Sequence, residues 1–190
     1  IFIFIFIFIK NLADYDENFF NEYPIFIESG THLGNTTFVM EKLFKKIYTI
    51  EIKKELFIKT KSKYKGNKIN FYLGDSSIIL KEICQDISKS AVFFLDGHWS
   101  AGQTGKGDKD CPLYEELQII NEHFKQNAIL IIDDFRLFGM GPSNSKEVCN
   151  WENISKKNVL KIINNRLNKE YHLPSNLHKD DRLILHINKI

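Results

Sequence analysis

A doubly wound α/β domain on a mostly parallel sheet is the fold this sequence predicts. Two apolar runs carry most of that prediction. Ala91–Leu95 and Ala128–Ile132 show no polar alternation, as expected of strands buried on both faces. Each ends abruptly in acid, the first at Asp96 within LDGHW and the second at Asp133-Asp134. Strand-like and helix-like segments also alternate through the chain, which predicts right-handed crossovers with helices on both faces. In such sheets ligands sit beyond the carboxyl ends of the strands, so the two acidic strand ends mark where chemistry is expected.

The elements follow in order. Pro24 opens a short buried strand over 25–29, which runs into a turn over Gly30–Gly34. Residues 35–46 read as a helix with Phe38, Leu43 and Phe44 on its apolar side, and a strand over 48–52 carries Glu51 at its end. A Lys-rich helix over 53–64 closes at Gly66-Asn67. The third strand, 69–73, leads to Gly74-Asp75-Ser76 and a helix over 77–87 with Leu80, Ile83, Cys84 and Ile87 inward. After the fourth strand, 100–110 is a Gly/Lys/Asp loop, expected to be mobile over a substrate. Pro112 suits the first turn of a helix reaching about Phe124, with Asp110 or Cys111 near its cap. Beyond the fifth strand, 135–153 is irregular and reads as a lid or substrate loop. Residues 155–168 form an amphipathic helix, and 171–173 and 182–187 two closing strands paired antiparallel.

The 190 residues suit one domain with a sizeable core. The net charge of +2 favours neither an acidic nor a basic partner. Cys84, Cys111 and Cys149 are widely spaced with no CxxC pair, which argues for a reduced, cytoplasmic protein and against a zinc site. No apolar run is long enough for a membrane span. Residues 1–9 alternate strictly between Ile and Phe, without the basic leader or small-residue cleavage site of a signal peptide. We read 1–23 as an N-terminal extension, its first residues low-complexity or translated upstream sequence, and 24–190 as the domain.

Three strand ends point to a nucleoside. Glu28-x-Gly30-x-x-x-Gly34 sits between a strand and a helix, where glycines let backbone approach a ligand. It is not the dinucleotide G-x-G-x-x-G spacing. Glu51 ends the second strand, where a carboxylate can take both ribose hydroxyls, and Asp75 ends the third, within reach of an adenine amino group. Any one of these acids alone is more often a solvated strand end; three in succession favour an adenosine-type ligand. GQTGKG, residues 102–107, fails the phosphate-loop pattern because no Ser or Thr follows Lys106.

Asp96, Asp133 and Asp134 form the second constellation. Two bare carboxylates about 4 Å apart repel by roughly 4 kcal/mol at an effective dielectric of 20. A proton or a cation therefore belongs between them, and an all-oxygen set with room for waters suits Mg²⁺. His98, two residues past Asp96, can remove a proton from a polarised hydroxyl, or serve as a fourth ligand or an ordinary loop histidine. Lys53, Lys54, Lys59, Lys61, Lys63, Lys65 and Lys68, with Phe57 and Tyr64, could form a nucleic-acid face. Lysines spread around a surface helix are more often simply solvated.

Across residues 25–190 the chain resembles class I S-adenosylmethionine (SAM)-dependent methyltransferases, and within them the metal-dependent small-molecule O-methyltransferases of the macrocin O-methyltransferase type. The resemblance implies a Rossmann-like, seven-stranded sheet in the order 3-2-1-4-5-7-6 with an antiparallel last strand. It implies SAM held by Glu28, Gly30, Thr31, Gly34, Asn35, Glu51, Asp75 and Ser76. It further implies a divalent cation, Mg²⁺ or another, on Asp96, Asp133 and Asp134. Asp96 and His98 would act on a hydroxyl of a small molecule such as a sugar. Sugar-modifying members carry a base, often Asp, where this chain has His98. The alternatives are a nucleic-acid methyltransferase using the Lys-rich face, and a degenerate domain that binds a nucleoside or a partner. A homo-oligomer is compatible with either.

Overall fold

The computed structural model describes residue 9 and residues 18–190. The Ile-Phe repeat over 1–8 and residues 10–17 lie outside the described residues. The helices are α1 Phe19–Glu22, α2 Asn35–Met40, α3 Lys54–Lys61, α4 Ser76–Asp86, α5 Leu113–His123 and α6 Lys156–Ile163. The strands are β1 Ile25–Ser29, β2 Lys46–Glu51, β3 Ile69–Leu73, β4 Ala91–Leu95, β5 Ala128–Ile132, β6 Leu167–Leu173 and β7 Arg182–Ile187.

The seven strands form one sheet in the order β3-β2-β1-β4-β5-β7-β6. β3, β2, β1, β4 and β5 pair in parallel, whereas β7 runs antiparallel to both β5 and β6. The expected Rossmann-like order is therefore present. The order reverses between β1 and β4, whose carboxyl ends open the crevice where such folds bind ligands.

All residues of β1, β4 and β5 are buried, which explains their unbroken apolar runs: with helices on both faces, neither side of the strand can be polar. On one face Ile27, Phe93, Leu95 and Leu130 pack under Leu80 and Ile83 of α4, Leu117 and Ile120 of α5, and Val159 and Ile163 of α6. Phe93 meets Phe124 edge-to-face at 5.0 Å between centroids. On the other face Phe26, Val92, Phe94 and Ile131 pack with Phe19 of α1, Met40 of α2, Phe44 and Ile9. The helix expected over 35–46 stops at Met40. A tight turn there places Phe44 against Phe26 at 5.3 Å, and Lys45 N–H donates to the Pro24 carbonyl, so tertiary packing overrides helix propensity. At the other end α6 gives way to a turn at 164–166, and β6 starts four residues earlier than its apolar residues suggest. Pro112 is the cap of α5, one position before the first helical residue.

Candidate active site

The turn after β1 is shaped by a contact across the switch point. Gly30 has φ +88°, and a Cβ there would lie 2.3 Å from the Asp96 carbonyl oxygen. Only glycine lets the two strand ends approach so closely. Above them lies a cavity of about 340 Å³, within the range of small-ligand sites. Of the residues expected at a cofactor, Glu28, Gly30, Thr31, Asn35, Glu51, Asp75 and Ser76 all line it. Gly34 does not; it caps α2 at φ +78° and packs against Phe38 and Thr60.

The three acidic strand ends are each held by short-range partners. Glu28 is buried and accepts from the Thr37 and Thr49 hydroxyls through one oxygen. Burial pushes its pKa up to about 7, the two threonines offsetting only part of the penalty. Glu51 accepts from the His32 backbone N–H at 2.7 Å through one oxygen and from the Lys53 N–H at 2.8 Å through the other. A carboxylate offers about four acceptor sites, so Glu51 keeps two for ligand hydroxyls. Asp75 caps α4, accepting from Ser77 N–H at 2.9 Å and from its hydroxyl at 2.7 Å on Oδ1. Its Oδ2 faces Gly107.

The other end of the same cavity is lined by Asp96, His98, Trp99 and Asp134. His98 lies between two carboxylates: Nδ1 is 3.4 Å from Asp96 Oδ1 and Nε2 is 3.0 Å from Asp134 Oδ2. The ring is 7% exposed. Burial alone would lower its pKa, but the Asp134 hydrogen bond and the charges of Asp96, Asp134 and Asp133 outweigh burial and raise it. Asp96 is pushed well up, by burial first and then by Asp133 and Asp134, with His98 opposing. Asp134 moves down, because His98 and Arg136 together overcome its burial. Asp134 has φ +56°, a left-handed conformation that Asp tolerates better than most residues.

The β4–β5 register places Asp133 beside Asp96 at the same rim, but its carboxylate is engaged by an arginine. Its Oδ1 is 3.0 Å from Arg182 Nε, with both side chains 2% exposed. Arg136 bridges Asp134 and Asp181. The repulsion expected among the carboxylates is thus met largely by the chain's own cations: Arg136, Arg182 and His98. Ligand atoms converge within 4.8 Å in two sets that share Asp134: Asp96, His98 and Asp134 in the cavity, and the buried Asp133, Asp134 and Asp181, which Arg136 and Arg182 neutralise. Two carboxylates and an imidazole fit a divalent cation, and the nitrogen donor suits Mn²⁺, Fe²⁺ or Zn²⁺ more closely than Mg²⁺.

Several residues at the site gave no sequence signal. Glu116 of α5 is buried beside the switch point; a Cβ on Gly97 would lie 3.1 Å from its Oε1. Burial raises its pKa, with Ser76 and Ser29 opposing. Thr104, Gly105 and Gly107 of the Gly/Lys loop also line the cavity, with Gly107 against Asp75 and Gly105 against Ile52.

No protein-family model matches this sequence, and no curated protein matches it. The fold does have solved counterparts. A candidate caffeoyl-CoA O-methyltransferase from Staphylococcus aureus superposes with a TM-score of 0.63 at 16% identity, covering 97% of this chain and 83% of that one. A SAM-dependent methyltransferase from Clostridium acetobutylicum gives 0.58 at 14% identity, covering 97% and 90%. The magnesium protoporphyrin IX methyltransferase of Synechocystis PCC 6803, solved with bound SAM, gives 0.54 at 10% identity, covering 97% and 76%. At these identities the likeness defines the fold. The chain has the Rossmann-like architecture of SAM-dependent methyltransferases.

Proposed function

We propose that this protein is a SAM-dependent methyltransferase acting on a hydroxyl of a small molecule such as a sugar. The observation that carries the reading is one cavity joining two kinds of site: Glu28, Glu51 and Asp75 on successive strand ends, and the Asp96–His98–Asp134 group at the far wall. SAM fits the first part. Glu51 has acceptor capacity left for ribose hydroxyls, and Gly30 leaves the backbone open for close approach. The free thiols of Cys84, Cys111 and Cys149 support a cytoplasmic setting.

In the proposed reaction the acceptor oxygen attacks the sulfonium methyl group. The new O–CH₃ bond forms as the C–S bond breaks, its electron pair stays on sulfur, and S-adenosylhomocysteine (SAH) leaves. The hydroxyl proton passes to neutral His98, whose Nε2 then donates to Asp134. Because both carboxylates favour the imidazolium, the ring accepts a proton strongly once it is neutral. Holding donor and acceptor in line supplies much of the rate. A divalent ion bound by Asp96, His98 and Asp134 would polarise the acceptor hydroxyl, with His98 then acting as ligand in place of base.

Incubation with SAM and a panel of hydroxylated small molecules, in EDTA and with added Mn²⁺ or Mg²⁺, tests the reading. SAH formed only with an acceptor present supports it. SAH formation that depends on added RNA or DNA would instead favour the nucleic-acid alternative.

A further inference from the structure

We infer that the loop between β4 and α5 is the gate that retains the cofactor, and that Lys53 is its latch; this rests on the SAM-binding reading above. The loop leaves the sheet beside His98 but folds back across the β2 and β3 ends, where a nucleoside would lie. Gly105 sits on the segment after β2: a Cβ there would lie 2.3 Å from Ile52 Cγ2 and 3.1 Å from the Lys53 backbone nitrogen. Gly107 sits on Asp75: a Cβ would lie 2.4 Å from its Oδ2. Asp75 cannot swing aside freely, because its other oxygen caps α4 through Ser77. Neither glycine has a left-handed φ, so space, not backbone conformation, excludes a side chain at both.

The two ends of the loop are held unequally. Its base is fastened by several contacts. Trp99 N–H donates to the Asp110 carbonyl at 2.7 Å, and Lys106 pairs with Asp110 at 2.7 Å while lying 4.2 Å over the Trp99 ring. Asp110 also accepts from the Asn150 N–H. The tip is tied to the body by Lys53 Nζ, which donates to the Gln103 carbonyl at 2.7 Å at the surface, and more weakly by the Ala101 backbone N–H at the Cys149 thiol. Beside it Ala101 and Gly102 both have left-handed φ, at +60° and +56°. A firm base, a left-handed bend and a lightly held tip are the parts of a hinged cover. Opening it breaks the Lys53 contact and lifts Gly105 and Gly107 off the nucleoside end, leaving the Asp96–His98–Asp134 end in place.

The test is the dissociation rate of SAH from the full chain, measured by stopped-flow chase with excess SAM. Four proteins are compared: wild type, Lys53→Met, Gly107→Val, and Lys54→Met as a control for loss of a neighbouring surface charge. Lys53→Met should release SAH about 2- to 10-fold faster, the effect of one modest hydrogen bond. Gly107→Val, which props the cover open, should exceed that, and Lys54→Met should match wild type. Lys53→Met is a surface change and keeps the inference testable if Gly107→Val does not fold. SAH bound by wild type with the same rate in Lys53→Met overturns the gate alone. No SAH binding by folded wild type overturns the cofactor reading and the gate with it.

Discussion

His98 Nε2 lies 3.0 Å from Asp134 Oδ2, while its Nδ1 faces Asp96, so one imidazole spans two carboxylates at the edge of the cavity. That arrangement gives His98, the proposed base, a defined orientation and a defined place for a proton. His98→Ala should lower turnover by about 10²–10⁴-fold, the usual contribution of a general base, while leaving SAH affinity within about threefold. Single-turnover kinetics with titration of SAH checks both parts; unchanged turnover would remove His98 from the chemistry.

Glu51 should matter for binding instead. It lines the cavity with acceptor capacity to spare, and hydrogen bonds to a charged group contribute about 1.5–3 kcal/mol. Glu51→Ala should therefore weaken SAH binding by about tenfold or more, with Glu51→Gln intermediate because it keeps an acceptor for one backbone N–H. Equal affinity in all three proteins would place the ribose elsewhere.

Glu28 predicts a pH dependence of stability. Its carboxyl titrates near 4.5 when unperturbed and at about 7 in the fold, raised by burial. Between those values the unfolded chain releases the proton while the folded chain keeps it. Stability should therefore fall as pH rises through this window and level off above about 7. Glu28→Gln stays neutral and can still accept from Thr37 and Thr49. Relative to wild type it should gain stability between pH 5 and pH 8, by on the order of 1–3 kcal/mol. Urea denaturation of both proteins at the two pH values measures this, and a constant difference would contradict it.

Arg182 is predicted to be structural. Removing one member of a buried ion pair leaves an uncompensated charge and costs about 3–5 kcal/mol. Arg182→Met should destabilise by that order in denaturant unfolding, and adding Asp133→Leu should recover a large part. If the double variant is no more stable than Arg182→Met, Asp133 has a role beyond its partner.

That pair also shows where the sequence stops being legible. β5 and β7 align Ile132 with Leu183 antiparallel, so the next residues, Asp133 and Arg182, face each other. Nothing local to either segment signals this; it follows only once β7 is known to lie beside β5. The chain alone places Asp133 beside Asp96, as the β4–β5 register has it, but gives no sign of the arginine that pairs with it. By contrast β1, β4, β5 and β7 stand out as apolar runs because burial on the sheet faces leaves that imprint. β6 was read only from Tyr171 because Asn168, Lys169 and Glu170 lie on an exposed edge, where no apolar pattern is required. The path of the Gly/Lys loop is hidden in the sequence for a related reason. Its glycines mark close approach to some other segment, and the chain does not say which.

The most direct test of the methyltransferase reading is calorimetric titration of SAH into the full chain in EDTA, followed by the same titration with Mn²⁺. Saturable one-to-one binding in EDTA, weakened in Glu51→Ala, is the predicted result. A folded protein that gives no SAH binding under either condition would contradict it.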